Sequence, residues 1–165
     1  MTEVRYPPRF SPSGFPLLHD PPEPVQSGDP NAWRIPVLGL RIIRSWSCYY
    51  IPPEPTREEL LVRQASERGP VPESEWEPYE YVASIRESLT KIVLGPSLHN
   101  KLTLHPLDPF ELTICLDGEW AELTLTEIEL DFDVPANAIV GLVISDKTFL
   151  DVIHWIEAAS AKKLE

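Results

Sequence analysis

The stretch "ELTICLDGEWAELTL", residues 111–125, most restricts what this chain can build. Asp117-Gly118 is the preferred dipeptide of a two-residue type I′ turn, and alternating apolar residues flank it on both sides. A hairpin closed there pairs Leu116 with Glu119, Cys115 with Trp120, Ile114 with Ala121 and Leu112 with Leu123. Leu112, Ile114, Leu116, Ala121, Leu123 and Leu125 then share one face. Glu111, Thr113, Cys115, Trp120, Glu122 and Thr124 share the other, so register and hydrophobic pattern agree.

The next stretch, "LTEIELDFDVP" (125–135), alternates acidic and apolar residues. Glu127, Glu129, Asp131 and Asp133 fall on one parity, and Ile128, Leu130, Phe132 and Val134 on the other. Leu123 and Leu125 have the opposite parity to Ile128 and Leu130, so a strand here needs a bulge near Thr126–Glu127. "AIVGLVIS" (138–145) is almost wholly apolar and reads as a central strand covered on both faces. A short strand is also expected near Leu102–Leu104, and one or two in residues 35–51, which are rich in β-branched and aromatic side chains.

Helices are expected in three places. "TREELLVRQASERG" has Thr56 and Glu59 as a capping box and Gly69 as a terminator, with Leu60, Leu61 and Ala65 facing inward. In residues 79–93, Tyr81, Val82, Ile85, Leu89 and Ile92 recur at helical spacing before Gly95-Pro96 stops the run. The C-terminal segment has Ser145 or Asp146 as a cap, and Phe149, Val152, Ile153 and Ile156 as a buried stripe. Runs of strands rather than strict alternation give an α+β fold, a mainly antiparallel sheet with about three helices packed on it.

Residues 1–34 form a separate proline-rich extended arm, and residues 35–165 a single domain. Proline removes amide donors and fixes φ, so neither a helix nor a central strand can run through the arm. Tyr6, Phe10, Phe15, Leu17, Leu18 and Trp33 are unusual for a disordered tail. They predict an arm pinned by its aromatic and apolar residues, either on its own domain or on a partner.

The chain has 165 residues and a formal net charge of −12. Residues 101–135 contain 1 basic and 9 acidic residues, so most of the excess is concentrated there. That argues against direct nucleic-acid binding, which needs cations to displace counterions from phosphate. It favours a basic protein partner reached by electrostatic steering. No window is long and apolar enough for a membrane helix, and the N-terminus lacks a basic start followed by an apolar run. The widely spaced Cys48 and Cys115 suit a reducing, cytoplasmic compartment.

Alternate carboxylates on a strand stand about 6.7 Å apart and need solvent or cations. The plain reading is a solvated sheet face; the functional reading is a docking surface for a basic partner. The acids lack the spacing and turn glycine of a calcium loop, so no metal is expected. Trp120 beside Glu122, and Trp76 beside Glu77, are aromatic residues among acids that suit an interface hot spot. Trp76, Glu77, Trp120, Glu122, Glu127, Glu129, Asp131 and Asp133 are therefore the candidate partner-binding residues.

Cys115 with His99 or His105, and Asp108 nearby, could form a nucleophile and base, but no activating motif surrounds the cysteine. No phosphate loop or dinucleotide fingerprint is present, so neither enzymatic activity nor a cofactor is expected. The leading expectation is a small acidic binding module that neutralises or chaperones a basic partner, most concretely an immunity-type inhibitor of a bacterial toxin. The alternative is a structural or assembly subunit that docks, or forms a homo-oligomer, through the proline arm.

Overall fold

Prolines punctuate residues 6–21, and the segment satisfies its backbone without joining a helix or sheet. Leu17 donates to the Arg9 carbonyl and Asp20 to the Tyr6 carbonyl, while Phe10 and Pro16 form an isolated bridge. Tyr6, Leu17 and Leu18 are buried. The computed structural model describes residues 6–21, 32–35, 40–43, 48–50, 55–116, 121–143 and 146–161. Contacts divide the chain into two units, Met1–Pro21 with Arg57–Glu165, and Pro22–Thr56.

The second unit holds three short strands, β1 (Ala32–Ile35), β2 (Leu40–Ile43) and β3 (Cys48–Tyr50), paired antiparallel in the order β1-β2-β3. Trp33 opposes Ile42 across the first pair, and Arg41 opposes Tyr49 across the second. Isoleucine and tyrosine suit such a pleated ladder.

The first unit is helical, which corrects the expected mainly antiparallel sheet and the α+β assignment. Its helices are α1 (Arg57–Glu67), α2 (Ala83–Leu98), α3 (Phe110–Ile114), α4 (Ala121–Phe132), α5 (Ala136–Val143) and α6 (Phe149–Ala161). None of its described residues lies in a strand. Asp117-Gly118 lies outside the described residues, but both flanks of the expected hairpin are helices.

In α4 the burial settles the period. Thr124 and Ile128 are buried, Leu125 and Phe132 are half-buried, and Leu130 is 74% exposed. That is a helical stripe, whereas a strand would bury Ile128 and Leu130 together. Helix formers fill the segment, and no glycine or proline interrupts it. Asp133 then takes φ 51°, and the Val134 amide donates to the Glu129 carbonyl at 3.2 Å. This Schellman-type end, with Val134 tucked inward, turns the chain into Pro135 and α5. The apolar run expected as a central strand is α5, with Ile139 buried and Val140 46% exposed.

Helix α1 follows Thr56 directly, and Gly69 leaves it at φ 74°. Leu61 and Ala65 are buried, and Leu60 is half-buried. Helix α6 is capped two to three residues later than the expected Ser145 or Asp146. Thr148 closes it instead: the Asp151 amide donates to Thr148 Oγ1 at 3.2 Å, and Asp151 Oδ2 accepts the Thr148 amide at 2.8 Å. This is a capping box with aspartate in the reciprocal place. Phe149, Val152, Ile153 and Ile156 are fully buried.

Helix α2 is broken at Gly95, whose φ of 58° and ψ of 178° precede Pro96. A residue before proline avoids the helical region, and this conformation is almost restricted to glycine. Gly95→Ala is expected to lower unfolding free energy by about 1–3 kcal/mol. Urea melts of the two proteins check this, and equal midpoints would show that the break tolerates a side chain.

The proline segment is fixed to the helical unit around one buried carboxylate. Asp108 is fully buried and pairs bidentately with Arg68, at 2.7 Å to Nη1 and 2.6 Å to Nη2. Asp108 also accepts the Leu18 amide and the His105 amide, each at 2.9 Å. Gln64 on α1 receives the His19 amide at 2.9 Å, and Arg57 binds Asp20 at 2.6 Å. Burial, followed by the Glu111 carboxylate, pushes the Tyr6 phenol up to about 12.

A second polar chain runs beside the first. Ser13 donates to Glu75, whose other oxygen lies 2.9 Å from His105 Nε2. The Leu107 amide donates to His105 Nδ1 at 3.0 Å, so the ring is held with its proton on Nε2. The Ser13 hydroxyl and then His105 hold the Glu75 carboxyl below its ordinary range. Phe15 stacks on His105 with centroids 5.5 Å apart. Residues 6–21 are thus a packed strap on their own unit; of the rest of the expected 1–34 arm, residues 1–5 and 22–31 lie outside the described residues and residues 32–34 belong to β1.

Candidate functional site

Helix α4 presents apolar and acidic side chains to solvent together. At 100° per residue, Leu123 and Leu130 lie on one line, roughly opposite the buried Ile128. They are 49% and 74% exposed and stand about 10.5 Å apart along the axis. Glu127 and Asp131 are exposed, one turn apart on one flank, and the half-buried Glu129 lies on the other. Asp133 is exposed just past the helix end. Glu122 belongs to the first turn of α4.

This geometry changes the expected acidic wall. On a strand the four carboxylates would project from one side, but a helix turns residues two apart to nearly opposite sides. Glu127 and Asp131 therefore stay together, and Glu129 separates from them. The separation opens a line between the acids, and two leucines occupy it.

The expected aromatic anchors fare differently. Trp120 lies outside the described residues. Trp76 is 1% exposed and is therefore a core side chain rather than a surface anchor. The Arg86 guanidinium sits 4.0 Å from its ring centroid, and Tyr81 and Phe149 meet it edge-on at 5.1 and 6.2 Å. The short turn Glu73–Glu75 directs Trp76 inward and leaves Glu77 exposed. Glu73 holds Arg86 over the ring through contacts at 2.5 and 3.0 Å, so an acid three residues before Trp76 serves its burial.

The cysteine constellation is not assembled as a nucleophile and base. Burial raises the Cys115 thiol, and the charged groups acting on it are Arg57, Glu111, Glu58 and Asp20. His105 is committed to Glu75 and the Leu107 amide, His99 Nδ1 lies 3.1 Å from the Gly95 carbonyl, and Asp108 holds Arg68. His154 binds the Glu80 carbonyl at 2.6 Å.

Leu123 and Leu130 were not singled out from sequence, because strand parity had assigned them to a covered face. A helical wheel over 121–132 would have found them. Among the described residues, no helix is long and apolar enough to cross a membrane. No family model, curated protein or solved structure matches the chain.

Proposed function

We propose that this protein is a small acidic binding module that holds a basic partner against the outer face of α4. The exposure of Leu123 and Leu130 between carboxylates carries this reading. Large apolar side chains in solvent cost nothing to display singly, but a pair on one helix face flanked by acids suits an interface. Glu127, Glu129, Asp131 and Asp133 steer the basic partner, and the leucines supply apolar burial when it docks. Occlusion of a cationic groove by this face would neutralise or chaperone the partner, and an immunity-type inhibitor of a bacterial toxin is its most concrete form.

Two variants separate the contributions once a partner is captured from the native host. Leu130→Ala is expected to weaken binding by about 2 kcal/mol, mainly through faster dissociation. Glu127→Lys with Asp131→Lys is expected to slow association and flatten its salt dependence. Surface plasmon resonance at low and high salt reads both. A partner bound equally well by both variants would remove α4 from the interface.

A further inference from the structure

The outer face of α4 restricts the shape of what can lie on it. Leu123 and Leu130 are exposed seven residues apart, about 10.5 Å along the axis, on one line of the helix. Thr126, Glu127 and Asp131 are exposed around that line, and the half-buried Glu129 lies on the far flank. The helix has 12 residues and is about 18 Å long, so its exposed face is a narrow strip.

A seven-residue apolar repeat is the seam spacing of paired helices. A second helix laid along α4 repeats its own side chains at the same interval of about 10.5 Å and can meet both leucines. An extended chain sets same-face side chains about 6.7 and 13.4 Å apart, and neither interval matches. It would also bring unpaired amides and carbonyls against a helix whose backbone is already bonded, whereas a helix satisfies its own.

Charge selects among helices. Residues 121–133 contain five acidic residues and no lysine or arginine. Two copies of α4 laid face to face would set carboxylates against carboxylates, which disfavours a self-pair. Cations along both edges of an incoming helix would instead meet Glu127 and Asp131 on one side and Glu129 on the other.

We infer that the occupant of this face is a basic amphipathic helix, with apolar residues at heptad spacing and lysine or arginine along both edges of that stripe. This rests on α4 being the binding face, as proposed above, and adds the conformation and edge charge of what binds there.

The probe is a synthetic peptide of three heptads, with leucine at positions a and d and lysine at e and g. Lysine on both edges opposes pairing of the peptide with itself. Amide shifts in ¹⁵N-labelled full-length protein should change saturably over residues 123–133, and the far-ultraviolet dichroism of the mixture should show added helix. Leu130→Ala should weaken the peptide about thirtyfold. Leu130 is exposed, so unchanged shifts elsewhere will show that the variant is folded. The same peptide with glutamate at e and g should bind at least about tenfold more weakly. So should the lysine peptide with one proline at an outward position of its central heptad, which keeps the charge and the leucines but breaks the helix. Equal binding of the proline peptide overturns the helical partner while leaving α4 as a face for basic chains. Equal binding of the glutamate peptide overturns the edge charge. No saturable shift on α4 from the lysine peptide also overturns the inference, whereas the broader reading falls only if a captured partner binds the α4 variants as it binds the native protein.

Discussion

Replacing Asp108 by alanine is expected to cost about 3–5 kcal/mol of unfolding free energy, because it strands a buried guanidinium. Arg68 is only 3% exposed and has no second carboxylate within 4.0 Å among the described residues. The same change orphans two buried amides, Leu18 and His105, which Asp108 accepts at 2.9 Å each. Domains of this size hold only about 5–15 kcal/mol in total, so the variant should unfold at much lower urea. Asp108→Asn keeps the volume and one acceptor oxygen and should lose less. A double variant, Arg68→Met with Asp108→Leu, removes both charges and should recover much of the loss. Urea melts of all three decide the matter, and a loss below about 1 kcal/mol for the alanine variant would show that the pair does not hold the strap.

Trp76→Ala should be comparably damaging, at about 3–5 kcal/mol, the usual range for emptying a large aromatic site. The ring is 1% exposed and packed by Arg86 at 4.0 Å, with Tyr81 and Phe149 edge-on. Loss of the ring leaves a cavity behind α2 and removes the cation–π partner of Arg86. The melting temperature should fall by more than about 10 °C. Trp76→Phe retains the edge contacts and should fall less. A full-length alanine variant that melts with the native protein would place Trp76 outside the core, as the sequence reading had it.

The helices around α1, α2 and α6 were legible because their signals were redundant. Apolar spacing marked all three, Thr56, Glu59 and Gly69 bounded α1, and Gly95-Pro96 marked the break in α2, while the cap of α6 lies at Thr148 rather than at Ser145 or Asp146. Residues 111–143 were misread because a short amphipathic segment can satisfy both periods for a few residues. Ile128 and Phe132 suit a strand and a helix equally, and the intervening Leu130 decided for strand on parity alone. The need for a bulge at Thr126–Glu127 was the warning, since the helical reading of Leu125, Ile128 and Phe132 needs none. "AIVGLV" was too short and too uniformly apolar to declare a period at all.

The candidate site was legible in part. The acids of α4 stand out by composition, but which of them share a side depends on the period that was misassigned. Trp76 looked like an anchor because its sequence neighbours are acidic. Its burial depends on Arg86, ten residues later, lying over the ring and carrying the partner for Glu73. The strap of residues 6–21 could be expected to dock, but Asp108 as its receiver could not, because the pairing spans 90 residues.

That span has a consequence for how the protein is made. Leu18 leaves the ribosome before its receiving carboxylate has been translated. At about 5–20 residues per second, the wait between Leu18 and Asp108 is roughly 5–20 s. During that interval the Leu18 amide has no Asp108 to meet, and the strap completes its docking only once that carboxylate has emerged.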